Sequence, residues 1–380
     1  MPLVRNGKTD VRRGTLEHNS IIGRNARDLI QAHKGPEYRV TIPSLDEYVS
    51  FTRRLVTPVY SADANLIVSL LDIHVSPPST DQGPPAPLEI LESGTGHGSL
   101  TLHLARAIHA ANTLPPPFPS KTQRQILGEK ATGNKPESAA SEGQKDPEAV
   151  SPEDQVQQEW DSWRAQRGAV IHTVDIAPKF SAHAEKIVRG FRRGMYTGDV
   201  DFYVSSVEDW IAEQTRRRTR GLLSNKMDPF LSYAILDMPS AHKRIPNVAP
   251  IMKDDGVLAV FMPSVTQIGD CVDIIRQQRL PFILEKAVEL GTGISSGRLW
   301  DVRFAVKKGA SNDAVDGKRA VEGEEQNGEE TASESEPDAG TSSEKSGEEE
   351  SVLVCRPKVG ARIVGGGFVG IFRRMKHSPS

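Results

Sequence analysis

Residues 88–99 read Leu-Glu-Ile-Leu-Glu-Ser-Gly-Thr-Gly-His-Gly-Ser. A short apolar run stops at Gly94. The stretch 98–111 (GSLTLHLARAIHAA) then places Leu100, Leu104, Ala107 and Ile108 on one helical face. Strand, glycine bend and helix together make a ligand cradle. Glycines let the backbone pass close to a bound molecule, and the helix start offers free N–H groups. Such a ligand lies outside the carboxyl end of the strand, at the switch point of an open sheet.

The spacing narrows the ligand. A dinucleotide turn has the pattern G-x-G-x-x-G, whereas here the third glycine, Gly98, comes one residue early and Ser99 follows it. Glu92 precedes Gly94, Gly96 and Gly98, and an anion there opposes a pyrophosphate. It suits a ligand that carries an ammonium and a sulfonium, which S-adenosylmethionine does. A dinucleotide turn and a glycine bend with only a packing role are the competing readings.

Working outward, strands and helices alternate. Predicted helices cover 43–55, 61–74, 179–193, 207–218, about 240–253 and 264–278; predicted strands cover 87–93, 169–176, 200–206, 231–239, 256–263, 281–290, 299–307, 352–357 and 366–374. This alternation predicts an α/β fold, a Rossmann-like doubly wound parallel sheet. The last strands lack intervening helices of normal length and predict an antiparallel C-terminal strand pair. A small β-rich N-terminal domain is expected over 1–50, and the main domain over 51–374.

Two stretches, 113–158 and 308–350, are rich in Pro, Ser, Gly, Lys and Glu and poor in apolar residues. Both are expected to be disordered insertions. Residues 311–350 carry 14 acidic against 3 basic side chains, so the net charge of −3 hides a body of +8. A basic body is compatible with a polyanionic partner. Two cysteines, Cys271 and Cys355, exclude a disulfide framework and point to a reducing compartment. The first residues, MPLVRNGKTDVRRG, lack an apolar core and argue against a secretory signal. No apolar stretch reaches the roughly 18 residues of a membrane span. The ten histidines show no metal-ligand spacing, so no metal is expected; His97 and His103 are assigned surface or core roles.

Two further carboxylates fall at strand ends. Asp175 closes the second strand, where it can accept the ribose hydroxyls of an adenosine. Ser206 and Val207 end the third and flank the adenine ring. Asp237 ends the fourth in Leu-Asp-Met-Pro (236–239) and faces the reactive end of the ligand. A capping or solvated carboxylate is the alternative for each.

Glu-Ser-Gly-Thr-Gly-His-Gly-Ser (92–99), Leu-Asp-Met-Pro (236–239) and Phe-Met-Pro-Ser-Val-Thr-Gln (261–267) resemble the catalytic subunits of the tRNA (adenine-58-N1)-methyltransferases. Pro-Ser-Leu-Asp-Glu-Tyr (43–48), Val-Tyr-Ser-Ala-Asp (59–63) and Trp300-Asp-Val-Arg303 extend the resemblance, which covers about 20–307 and 352–374. It implies a class I methyltransferase that uses S-adenosylmethionine to methylate N1 of adenine 58 in the tRNA T-loop. The implied cofactor residues are Val59, Glu92, Gly94, Gly96, Gly98, Ser99, Asp175, Val207 and Asp237. Asp237 is implied as the catalytic residue, and Tyr60, Ser61 and Pro239 as facing the target nucleotide. The N-terminal 1–50 is implied to grip tRNA. The resemblance implies a homotetramer, or a heterotetramer with a non-catalytic paralogue, in the nucleus or mitochondrion. The sequence departs from the family pattern at Thr57-Pro58, Ser206, His242 and Gly365-Gly366-Gly367-Phe368. A non-catalytic RNA-binding subunit of this fold and a methyltransferase of another substrate class are the alternatives.

Overall fold

The computed structural model describes residues 3–11, 13–78, 86–128, 151–219, 227–291, 300–306, 351–357 and 366–376. The first fifty residues hold two antiparallel pairs, β1 (Lys8–Val11) with β2 (Gly14–Glu17) and β3 (Leu29–Gln31) with β4 (Glu37–Arg39). The one-turn helix α1 (His18–Ile21) lies between the pairs in sequence, and α2 (Leu45–Phe51) follows. A capping box starts α2: the Glu47 N–H donates to the Ser44 hydroxyl and the Ser44 N–H to the Glu47 carboxylate.

Then come α3 (Ser61–Leu71), β5 (Leu88–Ser93), α4 (Ser99–Ile108), β6 (Gln125–Ile126), α5 (Pro152–Arg164), β7 (Ala169–Asp175), α6 (Pro178–Gly190), β8 (Val200–Val204), α7 (Val207–Thr219) and β9 (Leu231–Leu236). The chain continues with α8 (Ile245–Val248), β10 (Met252–Met262), α9 (Val265–Gln277), β11 (Phe282–Glu289), β12 (Trp300–Val306), β13 (Ser351–Pro357) and β14 (Phe368–Arg374). Eight strands form one sheet in the order β11-β14-β10-β9-β5-β7-β8-β6. It is parallel from β6 to β10, and β14 runs antiparallel to both β10 and β11. The expected doubly wound sheet with its antiparallel end is therefore present. Strands β12 and β13 pair separately, as an antiparallel hairpin in a second compact unit spanning Gly297–Arg362.

Neighbouring positions on the central strands are apolar on both faces, so the sheet requires cover on both sides. Ile90, Ile171, Phe202, Ala259 and Ile371 pack with the buried residues of α2, α3, α4 and α6. Leu91, Val174, Tyr203, Leu258 and Phe372 pack with those of α7, α8 and α9. The chain runs from β5 outward to β7 and β8, then returns to β9 on the other side of β5. The switch point therefore lies between the carboxyl ends of β5 and β9.

Two sequence expectations are corrected. The helix expected over 240–253 is reduced to the single turn α8, flanked by 3-10 turns at Ala241–Arg244 and Ala249–Ile251. Pro246 and Pro250 remove the N–H donors that a continuous helix needs. The insertion expected over 113–158 is structured at both ends. Residues 125–126 form β6 on β8, and α5 begins at Pro152. Phe118 meets Trp160 edge-on at 5.4 Å, Trp163 Nε1 donates to Thr113 Oγ1 at 2.9 Å, and Glu185 accepts the Thr122 hydroxyl and the Gln123 N–H. Proline-rich sequence here covers an aromatic anchor. Residues 129–150 and 308–350 lie outside the described residues.

Candidate active site

The glycine turn follows β5 and ends at Ser99, the first residue of α4. Gly94 takes φ +101, and a Cβ built there would stand 1.8 Å from the Asp237 carbonyl oxygen. Asp237 N–H in turn donates to the Ser93 carbonyl at 2.8 Å, and the Ser93 hydroxyl to Met238 Sδ at 3.0 Å. The two loops at the switch point are thus joined backbone to backbone. The glycine turn and Asp237, 143 positions apart in the chain, share one sheet edge, as the strand-end reading expects.

Asp175 joins them. Its Oδ2 accepts the Gly96 N–H at 3.0 Å and its Oδ1 the Ala177 N–H at 2.8 Å. Each oxygen keeps a further lone pair, so ribose hydroxyls remain possible partners. Before any ligand arrives, the carboxylate already holds the turn against the start of α6.

Glu92 is placed differently from expectation. It is 1% exposed, and its Oε2 accepts the hydroxyls of Thr101 (2.6 Å) and Thr173 (2.7 Å). It lies beneath the turn and influences a ligand through its charge. Burial, aided by Asp237 and Asp175, pushes its carboxyl up to about 7. Burial also pushes Asp237 up to about 6. Val207 is 1% exposed, and its side chain belongs to the core with Tyr203 and Trp210. It has only backbone to offer an adenine ring. Ser206 caps α7, accepting the Asp209 N–H at 3.0 Å.

Residues 52–60 form a strap across the turn. Thr52 Oγ1 is 3.3 Å from His97 Nε2, and Val56 is the nearest group to Gly96, at 3.6 Å from where a Cβ would stand. The Ser99 hydroxyl donates to the Val59 carbonyl at 2.5 Å. His183 bonds the backbone of Arg53 and meets the His97 ring edge-on at 5.5 Å. Burial pulls His97 down to about 4, so it is neutral at physiological pH. Tyr60 and Ser61 follow directly as the cap and first residue of α3. Pro239 is exposed beyond Asp237. Spacing gave no sign of this strap, whose partners lie 40 or more positions away; the only local signal was the histidine inside the glycine turn.

His103 is also buried, with its ring Nδ1 on the Ser99 carbonyl at 2.8 Å. A cavity of about 470 Å³ opens at the opposite, amino edge of the sheet. There Glu89 holds Arg218 and His172, and Asp201 holds Arg164 and Arg167. Arg218 also lies over the Phe230 ring, 3.7 Å from its centre, and is part of that structural network.

The cradle fits a nucleoside ligand with cationic groups. Gly96 meets nothing closer than Val56, three carboxylates surround the turn, and among the described residues the buried Ser61 hydroxyl and His97 Nδ1 have no hydrogen-bond partner. No cluster able to hold a metal ion occurs among the described residues. A cation entering this site is expected to bind more tightly as Asp237 and Glu92 ionise. Affinity for S-adenosylmethionine, measured by calorimetry, should rise about tenfold from about pH 5.5 to about pH 8. The linked stability has the opposite sign. The folded protein keeps protons that the unfolded chain has already lost, so the ligand-free fold weakens as pH climbs from the ordinary carboxylate range through about 7. A pH-independent affinity would remove these carboxylates from cofactor binding.

No family model matches the chain. Two relatives, from two strains of Thermus thermophilus and both described as tRNA (adenine(58)-N(1))-methyltransferase TrmI, are each 25% identical over 294 residues, covering 77% of this chain and 79% of their own. The crystal structure of an S-adenosylmethionine-dependent O-methyltransferase from Thermotoga maritima superposes with a TM-score of 0.52 at 13% identity, covering all of this chain and 89% of the other, a likeness of fold. A carboxylate-led glycine turn at the switch point of a mostly parallel sheet, together with relatives matched over most of their length, makes this chain similar to the S-adenosylmethionine-dependent tRNA (adenine-58-N1)-methyltransferases.

Proposed function

We propose that the protein methylates N1 of adenine 58 in the T-loop of tRNA, with Asp237 as the residue that orients the base. The observation that carries this reading is the backbone-to-backbone junction of Asp237 with the glycine turn. S-adenosylmethionine, when bound, supplies an electrophilic methyl group on a sulfonium. The chain's residues then have a limited task. Adenine N1 carries its own lone pair, so no strong base is needed, and positioning supplies much of the rate. Ionised Asp237 accepts a hydrogen bond from the exocyclic amine and balances the positive charge that grows on the ring. Asp175 holds the ribose, and Glu92 supplies negative charge from below. Tyr60, Ser61 and Pro239 border the opening through which an everted base enters, at an unstacking cost of a few kcal/mol.

In this reading the N-terminal residues 1–50, with Lys8, Arg24, Lys34 and Arg39, grip the tRNA backbone. The assembly is a tetramer, either of four copies or with a non-catalytic paralogue, in the nucleus or mitochondrion. The test is methyl incorporation from labelled S-adenosylmethionine into an unmodified tRNA transcript, with nucleoside mass spectrometry of the product. The expected product is 1-methyladenosine at position 58, absent when that adenosine is replaced by guanosine. Labelling that ignores the replacement, or that goes only to non-RNA acceptors, would overturn the proposal.

A further inference from the structure

Arg54 sits in the strap between the cofactor turn and the first residues of α3. Its guanidinium carbon lies 5.5 Å from the centre of the Tyr60 ring, over its face. Nη1 reaches the Tyr60 phenol at 3.4 Å and Nη2 the Ser50 carbonyl at 3.3 Å. Its charge also helps to hold neighbouring His97 below its ordinary range. Arg54 is exposed and both its contacts are long, so this is a loosely held cation on an aromatic face at the mouth of the site.

We propose that Arg54 is a placeholder for the target base: its guanidinium covers the Tyr60 ring until RNA binds, then moves to a phosphodiester beside the everted nucleotide and leaves the ring to the purine. This rests on the reading that Tyr60 faces the target nucleotide. The exchange runs in the favourable direction. A base stacked on an aromatic side chain holds it more firmly than an exposed guanidinium does. The displaced cation gains a phosphate, for which its planar fork is well shaped. A flat ring left bare between rounds would instead meet water and unrelated bases.

The test compares wild type, Arg54→Ala and Arg54→Lys, using tRNA transcripts and S-adenosylmethionine. Arg54→Ala is expected to raise KM for tRNA about tenfold, to leave kcat and cofactor affinity within about twofold, and to reduce the log–log salt slope of RNA binding by about 0.7–0.9. Arg54→Lys keeps a point charge and should restore the salt slope. With 2-aminopurine at position 58, Arg54→Ala should show less of the fluorescence rise that reports eversion. Wild-type KM, salt slope and eversion in Arg54→Ala would overturn the proposal. So would a loss confined to kcat, which would move Arg54 into the chemical step. If wild type methylates no tRNA, the functional reading fails separately; anisotropy with the same RNA then judges Arg54, and equal affinities for wild type and Arg54→Ala overturn it.

Discussion

Gly94→Ala is expected to lose cofactor binding altogether and about 4 kcal/mol of stability. An alanine at φ +101 costs about 1–2 kcal/mol from backbone conformation alone. The larger part is contact. The new methyl would stand 1.8 Å from the Asp237 carbonyl oxygen, which is tied through its own N–H to Ser93. Neither partner can retreat without moving the end of a central strand. Gly96→Ala is the control. Its φ of +52 lies in a region that alanine visits at modest cost, and the nearest atom to the added Cβ is 3.6 Å away. Gly96→Ala should therefore cost about 1–2 kcal/mol and weaken the cofactor without destroying the fold. Chemical-denaturation midpoints and calorimetric titration of both variants measure the difference. Equal midpoints for the two would show that the junction with Asp237 is not a constraint.

Asp237→Asn should separate activity from stability. The side chain keeps its shape and can still accept a hydrogen bond but loses its charge. Turnover on tRNA is expected to fall on the order of 100–1,000-fold. The fold should gain or hold its ground, because burial makes the ionised carboxylate unfavourable at neutral pH, with its titration pushed up to about 6. The wild-type rate should rise with pH through about 6, as the Asp237 carboxylate ionises, and this limb should vanish in Asp237→Asn. A melting temperature well below wild type, or turnover within a few-fold of it, would remove Asp237 from the role assigned to it.

The parts of this molecule that are legible in sequence are those whose meaning is local. The glycine turn declares itself by spacing, and Asp237 by its place at the end of an apolar run. Both land where the strand-end logic puts them, because the parallel order of β5 and β9 leaves them side by side. What the sequence hides is long-range. Glu92 looks like a ligand-facing anion, yet Thr101 and Thr173 hold it beneath the turn. Val207 looks like a rim residue, but α7 turns its side chain into the core. The stretch around Pro115–Pro119 has the composition of a linker, and only the packing of Phe118 on Trp160 shows that it belongs to the fold. The Thr52–His97 contact depends on α2 and α4 meeting through the strap, which no short window can reveal.

The short strand β6 and helix α5 both dock at the margin of the sheet beyond β8, three strands from β5. At about 4.8 Å per strand, that margin is roughly 14 Å from the glycine turn. Material exchanged between Gly128 and Ser151 therefore enters and leaves at the outer margin of the sheet, with Gly128 itself beside Asp209 at the start of α7. A reporter grafted close to Ser151 would hang from the start of α5, three strands from the glycine turn, whereas one grafted close to Gly128 would crowd the Ser206–Asp209 cap.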